Sequence, residues 1–403
     1  MSWLSPIWTA VQIIIGYNLV LPVLLFILWL IFKRRGRSGR IDSSFQPDYA
    51  IILTAYEQTH TIPAAVNSIL NLHYRNFLLY IVADNCDVSG LSFDDEKVII
   101  LRPPMILQSN TRSHFYAISH FQRNHTHLTI IDSDNLVDPG YLDQLNIYFN
   151  NGFEAVQGVR NAKNLNSVYA CLDAARDIYY HFYDGRILFG LGSSATLAGS
   201  GMAFTTELYA GCLQHLDVQG AGFDKVLQNE ILKKGKRIAF AEKAIVYDEK
   251  TSRSDQLVNQ RSRWINTWFR YFSFGFGLIT RGITRFNLNQ FLFGLILLRP
   301  PLFIFLLLSF VCLLVDLFIS PVHALLWAVA FMVFTCGFAI SLISSETDKK
   351  IYDSLIAIPK FIYFQIVSLI YSRKANKRSV ATKHYHPGME NKDRTTKEET
   401  NED

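Results

Sequence analysis

Two carboxylates open the chemical reading: the run Leu128 to Asn135, LTIIDSDN, ends a buried-strand pattern with Asp132 and Asp134 on one side of the loop that follows. Two acids so spaced can share one divalent cation. Mg²⁺ and Mn²⁺ prefer hard oxygen ligands and bridge a few carboxylates to substrate phosphates, which suits a nucleoside diphosphate. The plainer alternative is a solvated turn in which Asp134 or Asn135 caps the next helix. Two more strand ends carry polar or aromatic groups. ADNCD sets Asp84 and Asp87 at one tip, where Asp84 could accept from a base N–H; TAYEQ brings Thr54, Ala55, Tyr56 and Glu57 to another, where Tyr56 could stack on a base.

Downstream, the small residues of GSGMAF, Gly199 to Phe204, would let a ligand approach the backbone closely, although a tight strand entry explains them equally well. Asp224 stands at what reads as a helix start, where an N-cap is its plain role. The pentapeptide QRSRW follows, with Arg261 and Arg263 on one side of an extended segment or at a helix start. Gln260 and Arg263 could hold a diphosphate, and Trp264 offers the flat apolar face on which sugars stack. An interfacial Trp and Arg pair is the competing reading of the same residues.

These residues need a scaffold that gathers strand ends. Tyr49 to Leu53, Leu78 to Val82 and Leu128 to Ile131 are β-rich runs, and Ile62 to Leu72 has helical spacing. Alternating strands and helices predict an open α/β sheet, whose ligands collect at the ends of strands. A nucleotide-binding α/β domain is therefore expected over residues 41 to 270.

The rest of the chain reads as membrane. Of 403 residues, 50% are hydrophobic and only 18% charged, which disfavours both a fully water-soluble globule and general disorder. A net charge of +5, scattered along the chain, does not argue for nucleic acid. Five separated cysteines without a CxxC pair exclude a disulfide scaffold or thiolate metal site as the organising principle. Trp8 to Phe32 carries no charge and is followed by Lys33, Arg34, Arg35, Arg37 and Arg40, an uncleaved anchor with a cytoplasmic flank over residues 1–40. Pro300 to Ile319 and Val322 to Ser344 form a transmembrane hairpin within residues 300–345, with no Lys or Arg in its outer turn and Lys349 and Lys350 after its exit. Both charge patterns place residues 33 to 299 on the cytoplasmic side of an inner, plasma membrane. Residues 271–299 are expected as interfacial helices. Residues 346–386 carry a second interfacial helix, Ile351 to Tyr371, with a fourth span as the alternative, and residues 387–403 form a disordered tail.

The ordered set of motifs resembles the membrane-bound inverting glycosyltransferases of family 2, the group that contains cellulose and hyaluronan synthases. TAYEQ stands for that family's PAYNE, ADNCD for DDxSxD, DSD for DxD, then GSG, an Asp ahead of Lys234-Gly235, and QRSRW for Q-Q/R-x-R-W. The resemblance implies a GT-A-type nucleotide-sugar-binding domain inserted between transmembrane helices. It implies that Thr54, Ala55, Tyr56 and Asp84 contact the nucleoside, that Arg112 follows the nucleotide, and that Asp132 and Asp134 hold Mg²⁺ or Mn²⁺ and the diphosphate. Asp224 then corresponds to the general base, Gln260 and Arg263 to the diphosphate clamp, and Trp264 to the acceptor platform. The implied donor is a nucleotide sugar, expected as UDP-linked. The acceptor is a glycan or lipid-linked sugar at the bilayer, with export or assembly subunits as possible partners. Two departures stand out: Glu57-Gln58 replaces Asn-Glu, and Gly222-Phe223-Asp224 replaces Thr-Glu-Asp. Readings outside catalysis are a nucleotide-regulated membrane transport component and an inactive glycan-assembly scaffold.

Overall fold

The computed structural model describes residues 4–32 and 45–371. The basic flank after the first anchor and the tail after Tyr371 lie outside the described residues. Among the described residues eight strands form one sheet: β1 (Tyr49–Tyr56), β2 (Phe77–Asp84), β3 (Val98–Leu101), β4 (His127–Asp132), β5 (Leu136–Val137), β6 (Ala155–Ala162), β7 (Met202–Thr205) and β8 (Ile238–Asp248). Their order is β3-β2-β1-β4-β7-β6-β8-β5. The half made of β1 to β4 is parallel, whereas β7 runs antiparallel to both β4 and β6.

The parallel half contains the three β-rich runs of the sequence, for a physical reason. A strand covered on both faces must be apolar at every position. In β1, Ala50 and Ile52 pack into the core on one face of the sheet, and Tyr49, Ile51 and Leu53 into the core on the other. Helix Ile62–Leu70 covers the second face with Ile62, Ala65, Val66 and Ile69, close to its expected span. All strand tips of this half that carry the chemical motifs therefore lie along one edge.

The GSG segment enters β7 through two residues in the left-handed region, Gly199 (φ 90°) and Gly201 (φ 66°). A Cβ on Gly201 would stand 2.9 Å from Val246 Cγ2 of β8, so position 201 is limited by both backbone conformation and space. Between them Ser200 is fully buried and its Oγ accepts hydrogen bonds from Asp132 N (3.1 Å) and Asn135 Nδ2 (2.8 Å). The glycine pair thus holds the carboxylate loop in place.

Among the described residues four helices are long and apolar enough to cross a membrane: Pro6–Phe32, Leu302–Ile319, Pro321–Ile343 and Lys349–Tyr371. The hairpin expected from sequence forms the middle pair, joined at Ser320, which caps the second helix. The buried carboxylate of Asp316 accepts hydrogen bonds from Trp8 Nε1 (3.0 Å), Gln12 Nε2 (3.1 Å) and Trp327 Nε1 (3.0 Å). An acid inside an apolar bundle must be satisfied internally. Here it ties the amino-terminal helix to the hairpin, a structural use that leaves it closed to an ion path.

The last apolar stretch is broken into Lys349–Ser354, a 3₁₀ turn at Leu355–Ala357, and Ile358–Tyr371. Its second part lies on helices of the α/β domain. Ser262 Oγ donates to Ser368 O at 2.9 Å, Phe364 meets Tyr169 at 5.6 Å between ring centroids, and Lys360 Nζ stands 5.9 Å from the Tyr169 ring. Phe274–Thr284 and Leu288–Leu298 pair closely enough that a Cβ on Gly275 would stand 2.7 Å from Gly294 O.

Candidate active site

Strand register alone brings the first motifs together. Tyr56 of β1 is paired with Asp84 of β2, and Thr54 of β1 with Asp132 of β4. Asp84 is buried, and its two carboxylate oxygens accept from the backbone N–H groups of Leu107 (2.9 Å) and Gln108 (2.7 Å). Gln108 Nε2 donates in turn to Tyr56 Oη at 3.1 Å. Three non-glycine residues here have positive φ: Glu57 at 60°, Asn85 at 53° and Gln108 at 48°. Such conformations cost free energy and persist where the surroundings over-determine them, often around ligands. Sequence reasoning gave Asp84 a base to bind and missed Gln108, whose role depends on a loop fold that RPPMILQSN does not announce.

Thr54, Ala55, Tyr56, Asp84, Asp132 and Asp134 line one end of a cavity of about 920 Å³. Asp224, Gln260, Arg263 and Trp264 line the same cavity. Arg112 does not. Its guanidinium makes a bidentate pair with Asp217, at 3.1 and 2.9 Å, on the solvent side of helix Asn110–Ser119. Asp87 is also outside the lining, its carboxylate turned back to accept from Ser89 N at 3.0 Å.

Asp224 is not an N-cap. Gly222 occupies that position at φ 101°, with Phe223 and Asp224 in the first turn of helix Phe223–Lys233. A Cβ on Gly222 would stand 2.6 Å from Thr267 Cγ2 and 2.6 Å from Tyr271 Cε2. Phe223 is buried with its ring 5.1 Å from that of His114. The departure from Thr-Glu-Asp therefore has a packing reason: helix Ser254–Tyr271 presses on position 222, and position 223 belongs to the core. Asp224 keeps a carboxylate toward the cavity, with Lys225 Nζ at 3.1 Å. The caps expected of Asp134 or Asn135 are likewise absent, since Gly140 precedes the next helix, Tyr141–Asn150.

QRSRW lies in mid-helix, neither in an extended segment nor at a helix start. Gln260 Oε1 accepts from Thr251 Oγ1 at 3.1 Å. Burial lowers the pKa of Arg263 from its ordinary value, a cost to the cation that an anion bound in the cavity would offset. Arg261 is buried in an ion pair with Asp173, and Arg176 pairs with Asp173 (3.1 Å) and Asp177 (2.5 Å). Both guanidinium carbons stand over Trp264, at 4.2 and 4.3 Å from its ring centroid. Trp264 is thus fixed by two cations, which sequence spacing could not show because Arg176 comes from another helix.

For the implied cation, the donor set at Asp132 and Asp134 has the right chemistry, being hard carboxylate oxygens that line the cavity. Among the described residues no group of three or more His, Cys, Asp or Glu side chains could enclose a metal ion. The protein would therefore supply two carboxylates and leave other positions to substrate oxygens and water.

A mixed α/β sheet, motif-bearing strand ends on one edge, and a cavity continuing into apolar helices define a nucleotide-sugar glycosyltransferase fold of GT-A type. The family model described as glycosyltransferase-like family 2 matches residues 47–267, more than half of the chain, and the chain belongs to that family. A solved structure similar along 91% of this chain and 98% of its own is the mannosyltransferase PcManGT from Pyrobaculum calidifontis, in complex with GDP-Man and Mn²⁺, at 12% identity and a TM-score of 0.54. That similarity is one of fold. The S. aureus protein TarS matches over 54% of this chain and 39% of its own, at 14% identity and a TM-score of 0.34. No curated protein matches the sequence.

Proposed function

We propose that this protein is a metal-dependent, inverting glycosyltransferase that moves a sugar from a nucleotide sugar to an acceptor held at the membrane, in the synthesis of a cell-surface polysaccharide or glycolipid. The observation that carries the reading is the single cavity shared by Asp132, Asp134, Asp224 and the Gln260–Trp264 segment. A donor diphosphate fits between the paired carboxylates and the half-buried Arg263, and Thr54, Ala55 and Tyr56 receive the nucleoside. A bound Mg²⁺ or Mn²⁺ would be held by Asp132 and Asp134 and would supply charge stabilisation of the departing diphosphate. Asp224 takes the proton from the acceptor hydroxyl as its oxygen attacks the anomeric carbon. One displacement then inverts the centre.

Both uridine and guanosine donors belong in the test: UDP is the expectation that came with the family resemblance, whereas the structural neighbour carries GDP-Man. The catalytic domain is assigned to the cytoplasmic face of the inner membrane, where such donors are made. Ile358–Tyr371 is assigned to the interface, supported by its packing on domain helices through Ser262 and Tyr169. The experiment is transfer from a panel of nucleotide sugars by the full chain in nanodiscs with Mn²⁺, supplied with membrane extract as acceptor. Metal-dependent nucleotide binding and glycosyl transfer are expected together. Absence of both across the panel overturns the proposal.

A further inference from the structure

Asp224 is carried by a helix whose entry has little backbone order of its own. The run DVQGAG, Asp217 to Gly222, forms neither strand nor helix, and its two glycines sit in the left-handed region at φ 74° and 101°. Glycine backbone is the most permissive there is, so such a loop takes its shape from what holds it.

The segment that opens helix Asn110–Ser119 supplies most of the hold. Ser109 Oγ and Thr111 Oγ1, both buried, each donate to Val218 O at 3.0 Å. Arg112 closes on the carboxylate of Asp217 with two bonds, and Asp217 accepts a third from Gln219 Nε2 at 2.8 Å. From the opposite side Arg270 Nη1 donates to Gln219 O at 3.0 Å. Further along the same helix, His114 sets its ring against Phe223, the residue before Asp224. The nucleoside side is held separately, by the N–H groups of Leu107 and Gln108 on Asp84. Leu107 to His114 therefore meets the nucleoside motif at its start and the loop ahead of Asp224 over the rest, and Arg112 belongs to the second group.

We propose that Arg112 is a positioning residue for the general base: with Ser109 and Thr111 it fixes Asp217 to Gly222, and through that loop the first turn that carries Asp224. Its effect falls on acceptor deprotonation and not on the nucleotide. The proposal rests on the glycosyltransferase reading, with Asp224 as its base. Exposed ion pairs contribute little as a rule, and bidentate arginine–carboxylate pairs are the exception. Displacement of a reacting group by about 1 Å can cost about a hundredfold in rate. A tether lost at this loop is thus felt in transfer before it is felt in stability.

The test compares wild type, Arg112→Ala, Asp217→Ala and the charge-reversed pair Arg112→Asp with Asp217→Arg, each as the full chain in nanodiscs with Mn²⁺. Transfer at saturating donor and acceptor should fall by about fivefold or more in each single variant, the upper scale of one exposed ion pair. Nucleoside diphosphate affinity and the thermal midpoint should change little. The charge-reversed pair should recover most of the loss, since an acid at position 112 stands in the first turn of its helix, where negative charge is favoured. Amide hydrogen exchange across Gln214 to Lys225 needs no acceptor: it should quicken in both single variants and slow again in the reversed pair. Lost nucleotide affinity in Arg112→Ala would overturn the proposal in favour of a nucleotide contact. Unchanged transfer in the single variants, or a loss that charge reversal does not recover, would overturn it as well. Absence of nucleotide binding and transfer in wild type would count against the glycosyltransferase reading instead, while the hydrogen-exchange pattern decides the tether by itself.

Discussion

Thr54 and Asp132 are register partners near the ends of β1 and β4, so the TAYEQ motif and the first carboxylate of DSD are placed side by side by backbone pairing. No side-chain contact is needed to set their separation. A parallel sheet with buried faces has a strongly specified register, because a one-residue slip would turn Ile51 and Leu53 toward the wrong core.

Asp134→Asn keeps the loop shape and removes the charge that a hard cation requires. The affinity for nucleoside diphosphate in Mn²⁺ should fall by about tenfold or more, the scale seen when metal ligation is perturbed. Without Mn²⁺, mutant and wild type should bind alike. Titration calorimetry with and without the metal checks this, and an equal response to Mn²⁺ in the two proteins would remove Asp134 from the cation site.

Three strands of the parallel half were legible because β1, β2 and β4 are nearly continuous apolar runs, buried on both faces; the four-residue, half-buried β3 was not. The other half was not. β6 contains Gly158, Arg160 and Asn161, β8 contains Glu242 and Lys243, and β5 has two residues, so none has the composition of an isolated strand. The buried ion-pair cluster was equally hidden. Asp173, Arg176 and Asp177 lie close together in sequence, but their partners are distant: helix Ser254–Tyr271 brings Arg261 onto Asp173, and the segment just after β8 brings Lys250 onto Asp177. Charge burial of this kind depends on distant partners. Arg112 shows the opposite limit: its place in the motif order suggested a nucleotide contact, but Asp217 engages it at the surface.

Trp264→Ala should raise the KM for acceptor while leaving nucleoside diphosphate affinity unchanged. It should also lower the thermal midpoint, because Arg176 and Arg261 lose the ring they stand over, each such contact contributing about 0.5–2 kcal/mol. Trp264→Phe retains an aromatic face and should recover much of both. An unchanged acceptor KM in Trp264→Ala would leave the tryptophan a purely structural role.

The membrane arrangement gives a labelling pattern. In a background with the exposed Cys336 and half-buried Cys86 replaced by serine, single cysteines at Glu96 and Lys392 should be protected from an impermeant thiol reagent, and one at Ser320 should react. Reaction at Lys392 would mean that Lys349–Tyr371 crosses the bilayer. Reaction at Glu96 would place the catalytic domain on the wrong side for cytosolic donors.

Two buried histidines give the fold a pH dependence with a definite sign. Burial pushes the pKa of His114 down to about 3 and that of His127 down to about 4. In the unfolded chain both titrate near 6.5, so between these limits the unfolded state binds more protons. Stability therefore rises with pH through that window, and acidification from about 6.5 downward lowers it by about 1.4 kcal/mol per pH unit for each histidine. His114→Gln should flatten the fall of the thermal midpoint between pH 6.5 and 5, relative to wild type. Identical slopes would show that His114 accepts a proton in the folded state.

Asp224→Asn separates chemistry from structure most cleanly. The N-cap at this helix is Gly222, so the substitution does not trade one cap for another, and the Asp224 side chain contacts Lys225 rather than the core. Little stability should be lost. If Asp224 takes the acceptor proton, transfer should fall by about a hundredfold or more, the usual scale for losing a general base, with donor affinity nearly unchanged. Asp248, another of the carboxylates that line the cavity, is committed to Arg160 and Lys250 and is poorly placed to act as a free base. Steady-state transfer by Asp224→Asn, compared with its nucleotide affinity, is the measurement. Full activity would reject the base assignment, and a parallel loss of donor binding would make Asp224 part of the nucleotide site.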